Sequence, residues 1–218
     1  MKVSRQDFTD PKWRCWLSGE RLEQARRIKS GKQQQIYLGA EVLLNRSLER
    51  IGAGLSLPAV YTRTVHGKPY LYGQKGLYVN WSHSKDCVLC GLSDQEIGVD
   101  LQYMEKEPKK ALVYRVLQPE ERIFYEQAAS GQQKVLFYQY WAVKESYLKA
   151  RGTGFSAPLD AFYVRMEGAY PEVVQRDQKT GWTCRLLNAA EGYAAAVCTE
   201  GVQDLRADIP VEWTGSEI

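Results

Sequence analysis

The spacing of apolar residues changes between residues 100 and 140, and this change is the feature that most restricts the possible folds. Residues 97–102 alternate, with Ile97, Val99 and Leu101 on one side, as in a strand that is buried on one face. Residues from about 134 to 150 instead follow helical spacing, and a glycine-rich stretch ends that run. A chain that uses both periods in separate stretches is predicted to be an α+β protein.

A helical stretch followed by short strands occurs twice along the chain. Residues 18–51 are predicted as one helix capped by Ser18, and residues 59–102 as short strands. A second helical region follows, in which Gly131 is predicted to separate a helix that begins at Pro119 from the longer one, and strands fill the rest. We therefore expect two pseudo-symmetric α/β halves, residues 1–105 and 106–218. Each would be a helix packed on a small, mainly antiparallel sheet, with the functional site at the seam.

Composition excludes several classes of protein. The net charge of +3 does not demand a nucleic acid as partner, and no apolar run approaches the roughly 18 residues of a membrane span. No signal peptide is visible, so we expect a cytoplasmic protein that binds neither nucleic acid nor membrane. Five scattered cysteines argue against a disulfide framework. Cys87 and Cys90 form a C-x-x-C without a second ligand pair, so they are interpreted as strand thiols rather than as a zinc or redox site.

The opposite face of the 97–102 strand carries polar residues. Gly98 leaves space there, and Asp100 and Gln102 project together as two oxygen ligands, one charged and one neutral. An ordinary half-exposed strand would show the same pattern, so the strand alone does not establish a metal site.

Glu145 lies on the apolar stripe of the predicted long helix, and a carboxylate there is costly unless it is paired or binds a metal. One interpretation is a simple salt bridge to Lys149, four residues further on. The other makes Glu145 a metal ligand or a base, with Lys144 and Lys149 facing phosphates near the metal.

Two further features have both a structural and a functional interpretation. The first helical stretch carries a run of basic residues, which forms either a solvated face or a landing site for phosphate. His83 follows an alternating strand, and a single histidine in a strand-end turn is most often structural. Nothing in the sequence organises a catalytic triad around it.

Five short motifs occur in a fixed order along nearly the whole chain. They are Gly67-Lys68-Pro69, Asn80-Trp81-Ser82-His83-Ser84, Gly98-Val99-Asp100-Leu101-Gln102, Trp141-Ala142-Val143-Lys144-Glu145-Ser146-Tyr147-Leu148-Lys149 and Gly192-Tyr193-Ala194-Ala195-Ala196-Val197. Through these motifs the sequence resembles the surfactin-synthetase-type (Sfp-type) 4′-phosphopantetheinyl transferases. The resemblance implies a transferase of the holo-(acyl-carrier-protein) synthase type. Such an enzyme moves the phosphopantetheine arm of coenzyme A to a serine of an apo acyl or peptidyl carrier protein and releases adenosine 3′,5′-bisphosphate.

The resemblance also implies roles for individual residues. Asp100, Gln102 and Glu145 would form the metal site for Mg²⁺, which suits a cation that prefers one or two carboxylates together with substrate phosphates. Glu145 would also help to deprotonate the carrier serine, and Lys149 would neutralise charge on the leaving phosphate.

Coenzyme A itself is expected to contact four other residues. Ser82 and His83 would contact its phosphates, with His83 near the 3′-phosphate. Lys68 and its turn would border the nucleotide, and Arg21 would supply a basic phosphate contact from the first helix.

One departure from the family pattern bears on activity. Gln102 stands where the family carries a second strand carboxylate, so we expect activity to survive with weaker metal binding. The alternative is a catalytically weak or inactive relative that still binds coenzyme A or a carrier protein.

The segment between residues 111 and 129 is expected to meet the carrier through an apolar face, or else to pack on its own domain. That face would consist of Leu112, Val113, Val116, Leu117 and Phe124. Because one chain contains both sides of the predicted seam, we expect a monomer.

Overall fold

The computed structural model describes residues 1–3, 7–154, 158–159, 161–166, 168 and 170–201. The α-helices in this part of the chain are α1 (Gly19–Arg26), α2 (Gly31–Arg50), α3 (Lys110–Val116), α4 (Pro119–Gln127) and α5 (Ser130–Arg151). The strands are β1 (Tyr61–Arg63), β2 (Pro69–Leu71), β3 (Tyr78–Ser84), β4 (Cys87–Ser93), β5 (Ile97–Tyr103), β6 (Tyr163–Arg165), β7 (Glu172–Gln175), β8 (Gln178–Leu187) and β9 (Tyr193–Glu200). The predicted α+β class is confirmed.

The first helical region contains two helices rather than the predicted one. Ser18 caps α1 as expected, since its side chain accepts a hydrogen bond from the backbone amide of Arg21 at 3.1 Å. Ser30 then caps α2 in the same way, through the amide of Gln33. The prediction of a continuous helix is wrong because a serine inside the run starts a second helix.

The strands form antiparallel sheets. β3 pairs with β4 as a hairpin, and a five-stranded sheet has the order β5-β9-β8-β7-β6. β5 belongs to the predicted N-terminal half, yet it pairs along its whole length with β9 from the other end of the chain. The boundary near residue 105 stays a prediction, and the sheet itself runs across it.

Helix α5 packs across β5 and β9 and buries the aromatic side chains of Phe137, Tyr140 and Tyr147. The closest approach is at Gly98, where a Cβ atom would overlap the carbonyl oxygen of Ser146 and lie 2.9 Å from the Cα of Ala150. The space that the sequence predicts at Gly98 is therefore occupied by the backbone of α5. This contact brings the polar face of β5 against the C-terminal part of the long helix.

Two local predictions are wrong. Gly131 does not end a helix, because the break lies at Ala128 and Ala129, whose backbones are extended with ψ of 145° and 143°. His83 lies inside β3 rather than in a turn after it.

Cys87 and Cys90 are free thiols within β4, as expected. None of the helices in the described ranges combines the length and hydropathy that a membrane span requires.

Candidate active site

Strand β3 is fixed against β5 by polar side chains at alternate positions. The side-chain oxygen of Asn80 accepts a hydrogen bond from the backbone amide of Val99 at 2.9 Å. Four residues further along β3, the hydroxyl of Ser84 accepts a hydrogen bond from the backbone amide of Tyr103, also at 2.9 Å. Because side chains alternate along a strand, Asn80 and Ser84 lie on the same face of β3, the face that meets β5.

Asp100 is the buried centre of the site, with only 2% of its surface exposed. Its Oδ1 accepts hydrogen bonds from the hydroxyl of Ser82 at 2.8 Å and from the ammonium of Lys149 at 2.5 Å. Its Oδ2 accepts one from the amide nitrogen of Gln102 at 2.7 Å. A buried carboxylate needs such partners to remain charged, and here strand β3, strand β5 and helix α5 each supply one.

Glu145 lies one helical turn before Lys149 on α5. Burial and the neighbouring charge of Asp100 raise the pKa of the Glu145 carboxyl, while Lys149 and a hydrogen bond from Trp141 oppose the shift. The ion pair that Lys149 makes is with Asp100, so the simple salt bridge within α5 does not explain Glu145. The carboxylates of Asp100 and Glu145 therefore lie close enough to repel each other, and the ammonium of Lys149 lies near both.

Basic groups converge on the same region. Burial lowers the pKa of His83, and the charges of Lys149 and Arg21 lower it further, which places both cations near its ring. Arg21 is itself buried, and its guanidinium donates to the carbonyl of Tyr37 at 2.5 and 3.1 Å and pairs with Glu41 at 3.3 Å. Arg21, from which a phosphate contact is expected, is therefore already held in place by the α1–α2 packing.

A cleft of about 290 Å³ opens beside these groups. Its walls come from the turn between β1 and β2, from β3 and from the C-terminal half of α5. The lining residues are Arg63, His66, Gly67, Lys68, Pro69, Asn80, Trp81, Glu145, Leu148, Lys149, Gly152 and Gly154. Three of the predicted site residues, Lys68, Glu145 and Lys149, thus share one cavity.

Arg63 and Trp81 also line this cleft, although neither was among the site residues predicted from the sequence. The guanidinium of Arg63 lies 5.2 Å from the ring centre of Trp81 and 5.4 Å from that of Tyr61, which is cation–π distance. Arg63 also donates to the carbonyl of Gly67 at 2.8 Å, so it braces the turn. The only sequence signal was its place on a strand just before a predicted turn.

Lys144 does not face the site, which corrects its expected role beside phosphates. Its side chain is fully buried and pairs with Glu121 at 2.8 Å. It also donates to the carbonyls of Val116 and Leu159 at 2.8 and 3.1 Å. Lys144 is next to Glu145 in sequence, but the turn of the helix sends its ammonium into the C-terminal core.

The donor set fits a small, hard cation. Asp100 and Glu145 provide carboxylate oxygens and Gln102 an amide oxygen, which are ligands that Mg²⁺ accepts. Their mutual repulsion, visible in the raised pKa of Glu145, is what a bound divalent cation would relieve. No group of three or more His, Cys, Asp or Glu able to hold a metal occurs in the part of the chain that the structure describes. A metal site with two carboxylates and the amide of Gln102 stays a prediction.

Comparisons with known proteins identify the family of this chain. The family profile of the 4′-phosphopantetheinyl transferase superfamily matches residues 96–198. A 4′-phosphopantetheinyl transferase of Bacillus subtilis is 30% identical over 185 residues, which cover 84% of this chain and 81% of that protein. This chain belongs to the 4′-phosphopantetheinyl transferase family. The enzyme is also similar to the transferase Sfp of Bacillus subtilis strain 168, with 26% identity over 84% of this chain and 82% of that one.

Among solved structures, a holo-(acyl-carrier-protein) synthase from Bacillus anthracis in complex with CoA (3′,5′-ADP) is similar at 23% sequence identity and a TM-score of 0.41. The alignment covers 49% of this chain and 96% of that one. Within this chain, the superfamily match spans β5 to β9 and includes Asp100, Gln102, Glu145 and Lys149. Family membership rests on the 30% identity to the Bacillus subtilis transferase over 84% of this chain, and the profile match includes the segment that carries the buried polar cluster.

Proposed function

We propose that this enzyme transfers the 4′-phosphopantetheine arm of coenzyme A to a serine of an apo acyl or peptidyl carrier protein. The serine oxygen would attack the phosphorus that carries pantetheine, and the bond from that phosphorus to the bridging pyrophosphate oxygen would break. Adenosine 3′,5′-bisphosphate leaves with the electron pair. The observation that supports this most is that Glu145 and Lys149 line one cleft while Lys149 also contacts Asp100.

Glu145 is the proposed base for the serine proton. Its pKa is raised by burial and by Asp100, which makes it a stronger proton acceptor than an exposed carboxylate. Lys149 would neutralise charge on the leaving phosphate, since its side chain is 28% exposed and lies in the cleft wall. Phosphoryl transfer depends mainly on such positioning and charge neutralisation, so the site needs no covalent nucleophile.

Coenzyme A would lie along the cleft with its phosphates near β3. Ser82 and His83 would contact those phosphates, Arg21 would add positive charge from α1, and the turn that contains Lys68 would border the nucleotide. This assignment is supported by the charges of Lys149 and Arg21, both of which act on His83, although Asp100 acts in the opposite direction.

Mg²⁺ held by Asp100, Glu145 and, through its amide oxygen, Gln102 would neutralise the pyrophosphate when bound. In the absence of a cation, Lys149 and Gln102 hold the Asp100 carboxylate. The chain therefore orients the Asp100 carboxylate by its own donors.

Replacing Gln102 with Glu tests whether this side chain belongs to the metal site. The new carboxylate would face Asp100 Oδ2, which now accepts the amide hydrogen bond, so repulsion should make the metal-free protein less stable. We expect the Mg²⁺ concentration for half-maximal transfer to fall roughly tenfold. Gln178→Glu, at the exposed first position of β8, is the matched control and should leave that concentration unchanged. An unchanged value in Gln102→Glu would place residue 102 outside the coordination sphere.

The transfer itself is tested by incubating the protein with Mg²⁺, coenzyme A and an apo carrier protein from the same genome. Mass spectrometry should show the carrier gaining the phosphopantetheine mass. Calorimetry that detects coenzyme A binding, without mass gain in any such carrier, would instead favour the catalytically inactive relative.

The carrier would approach the α3–α4 segment. Val113, Val116 and Leu117 are buried in the core of the C-terminal region, so the apolar face expected from the sequence is mostly internal. Ile123 and Phe124 remain exposed, at 55% and 58%. We propose that these two side chains offer the apolar contact for a carrier.

We also propose that the enzyme acts as a monomer in the cytoplasm.

A further inference from the structure

The ammonium of Lys68 lies in a buried polar pocket beside the cleft. Only 3% of the side chain is exposed, and the ammonium donates to the carboxylate of Glu96 and to the backbone carbonyl of Ala150. Tyr70 donates its hydroxyl hydrogen to the other oxygen of Glu96 at 2.7 Å. The ring centre of Tyr70 lies 5.7 Å from the same ammonium. The charge of Lys68 is therefore already matched within the protein.

The carbonyl of Ala150 belongs to the last turn of α5, where carbonyl groups have no partner inside the helix. The helix then ends at Gly152, whose φ of 67° is left-handed. A Cβ at Gly152 would lie 3.0 Å from the Cδ of Lys68, so the lysine stem passes directly over the helix end. Lys68 acts here as a C-terminal cap that comes from a distant part of the chain.

Three elements meet at this ammonium. Lys68 precedes β2, Glu96 precedes β5, and Ala150 is the second-last residue of α5. Asp100 lies four residues after Glu96 on the same extended segment, and Lys149 is the residue before Ala150. The contact thus joins the two elements that bring Asp100 and Lys149 together.

We propose that Lys68, held by Glu96 and Tyr70, is a positioning residue that fixes the C-terminal end of α5 relative to β5. The inference rests on the proposed transferase function and assigns the charged end of Lys68 to protein architecture rather than to coenzyme A. The stem and the turn of Lys68 still border the cleft. Glu96 and Tyr70 gain a role in the reaction through Lys68, without touching the substrate.

Kinetics of three variants separate positioning from direct phosphate binding. Lys68→Met keeps the stem and removes the charge, Glu96→Gln weakens the hold on the ammonium, and Tyr70→Phe removes one hydrogen bond to Glu96. A positioning role predicts that kcat falls about tenfold in Lys68→Met, less than the roughly hundredfold effect of a 1 Å misplacement, while KM for coenzyme A stays within about twofold. Glu96→Gln and Tyr70→Phe should lower kcat in the same direction by smaller factors.

A phosphate-binding role predicts the opposite pattern. Lys68→Met would then raise KM for coenzyme A at nearly constant kcat. Glu96→Gln would lower KM, because it frees the ammonium for the ligand. Either result would overturn the proposal.

Hydrogen exchange of the ligand-free protein provides a test that does not depend on activity. Loss of the cap in Lys68→Met should make the backbone amides of residues 149–152 exchange about tenfold faster, while amides in the middle of α5 stay protected. Unchanged exchange at residues 149–152 would refute the contact even if the wild-type protein transfers nothing. If residues 149–152 exchange faster in Lys68→Met and the wild-type protein nevertheless transfers nothing, only the proposed function is rejected.

Discussion

Replacing Glu145 with Gln is expected to reduce transfer to the carrier by about 10²–10⁴-fold, the usual contribution of a general base. The substitution preserves the shape of the side chain and removes both its charge and its ability to accept a proton. The rate should be measured as holo-carrier formed per unit time at saturating coenzyme A. Glu49→Gln, at an exposed position on α2, is the matched control and should transfer at the wild-type rate.

The same variant should fold normally. Burial and Asp100 raise the pKa of Glu145, so ionisation of this group opposes folding. That unfavourable contribution is absent below the pKa of the unfolded chain and develops as pH rises through the higher pKa of the folded state. At neutral pH Gln removes it, and the melting temperature of Glu145→Gln should equal or exceed that of the wild type.

Near-normal turnover in Glu145→Gln would remove Glu145 from the role of base. A large loss of melting temperature in the same variant would instead show that the charge of Glu145 stabilises the fold. Together, the rate and the melting curve separate catalysis from stability.

Gly98→Ala is expected to destabilise the folded protein by roughly 3 kcal/mol or more, at or beyond the upper end of typical overpacking effects. The new methyl group would overlap the Ser146 carbonyl oxygen and the Ala150 amide nitrogen, which are backbone atoms that cannot rotate away. Relief requires α5 to move away from β5, and this would also separate Lys149 from Asp100. Denaturant unfolding measures the loss of stability, and transfer activity should fall with it.

Gly131→Ala is the matched control on the same helix. A Cβ at Gly131 meets no atom within 4 Å, and alanine favours helix more than glycine does. This variant should be as stable as the wild type or about 0.4–1 kcal/mol more stable. If Gly98→Ala unfolded at the same denaturant concentration as Gly131→Ala, the close approach of β5 and α5 would be wrong.

Local pattern was enough to predict much of the site. Alternation on β5 placed Asp100 and Gln102 on one face, and the structure joins the two side chains by a hydrogen bond. Helical spacing placed Glu145 on the inner stripe of α5, where its carboxyl is half-buried. These predictions succeeded because the direction of a side chain within a strand or helix follows from backbone geometry alone.

Other predictions failed where capping or distant contacts decide the outcome. One helix was expected over residues 18–51, but the hydroxyl of Ser30 starts a new one. Lys144 was expected near phosphates, but Glu121 draws its ammonium into the core. That Lys68 borders the nucleotide stays a prediction, but the partners of its ammonium, Glu96 and the end of α5, could not be read from the sequence.

The sequence by itself determined the α+β class, the order of its motifs and the two elements that carry Asp100 and Glu145. Only the tertiary structure decided which charged side chains form ion pairs with each other. Lys149 pairs with Asp100, 49 residues away in sequence, rather than with its helical neighbour Glu145. The physical reason is that burial makes an unpaired charge costly, so each buried ion takes the partner that packing brings to it. Those partners come from elements that are far apart along the chain, and sequence periodicity carries no information about such distances.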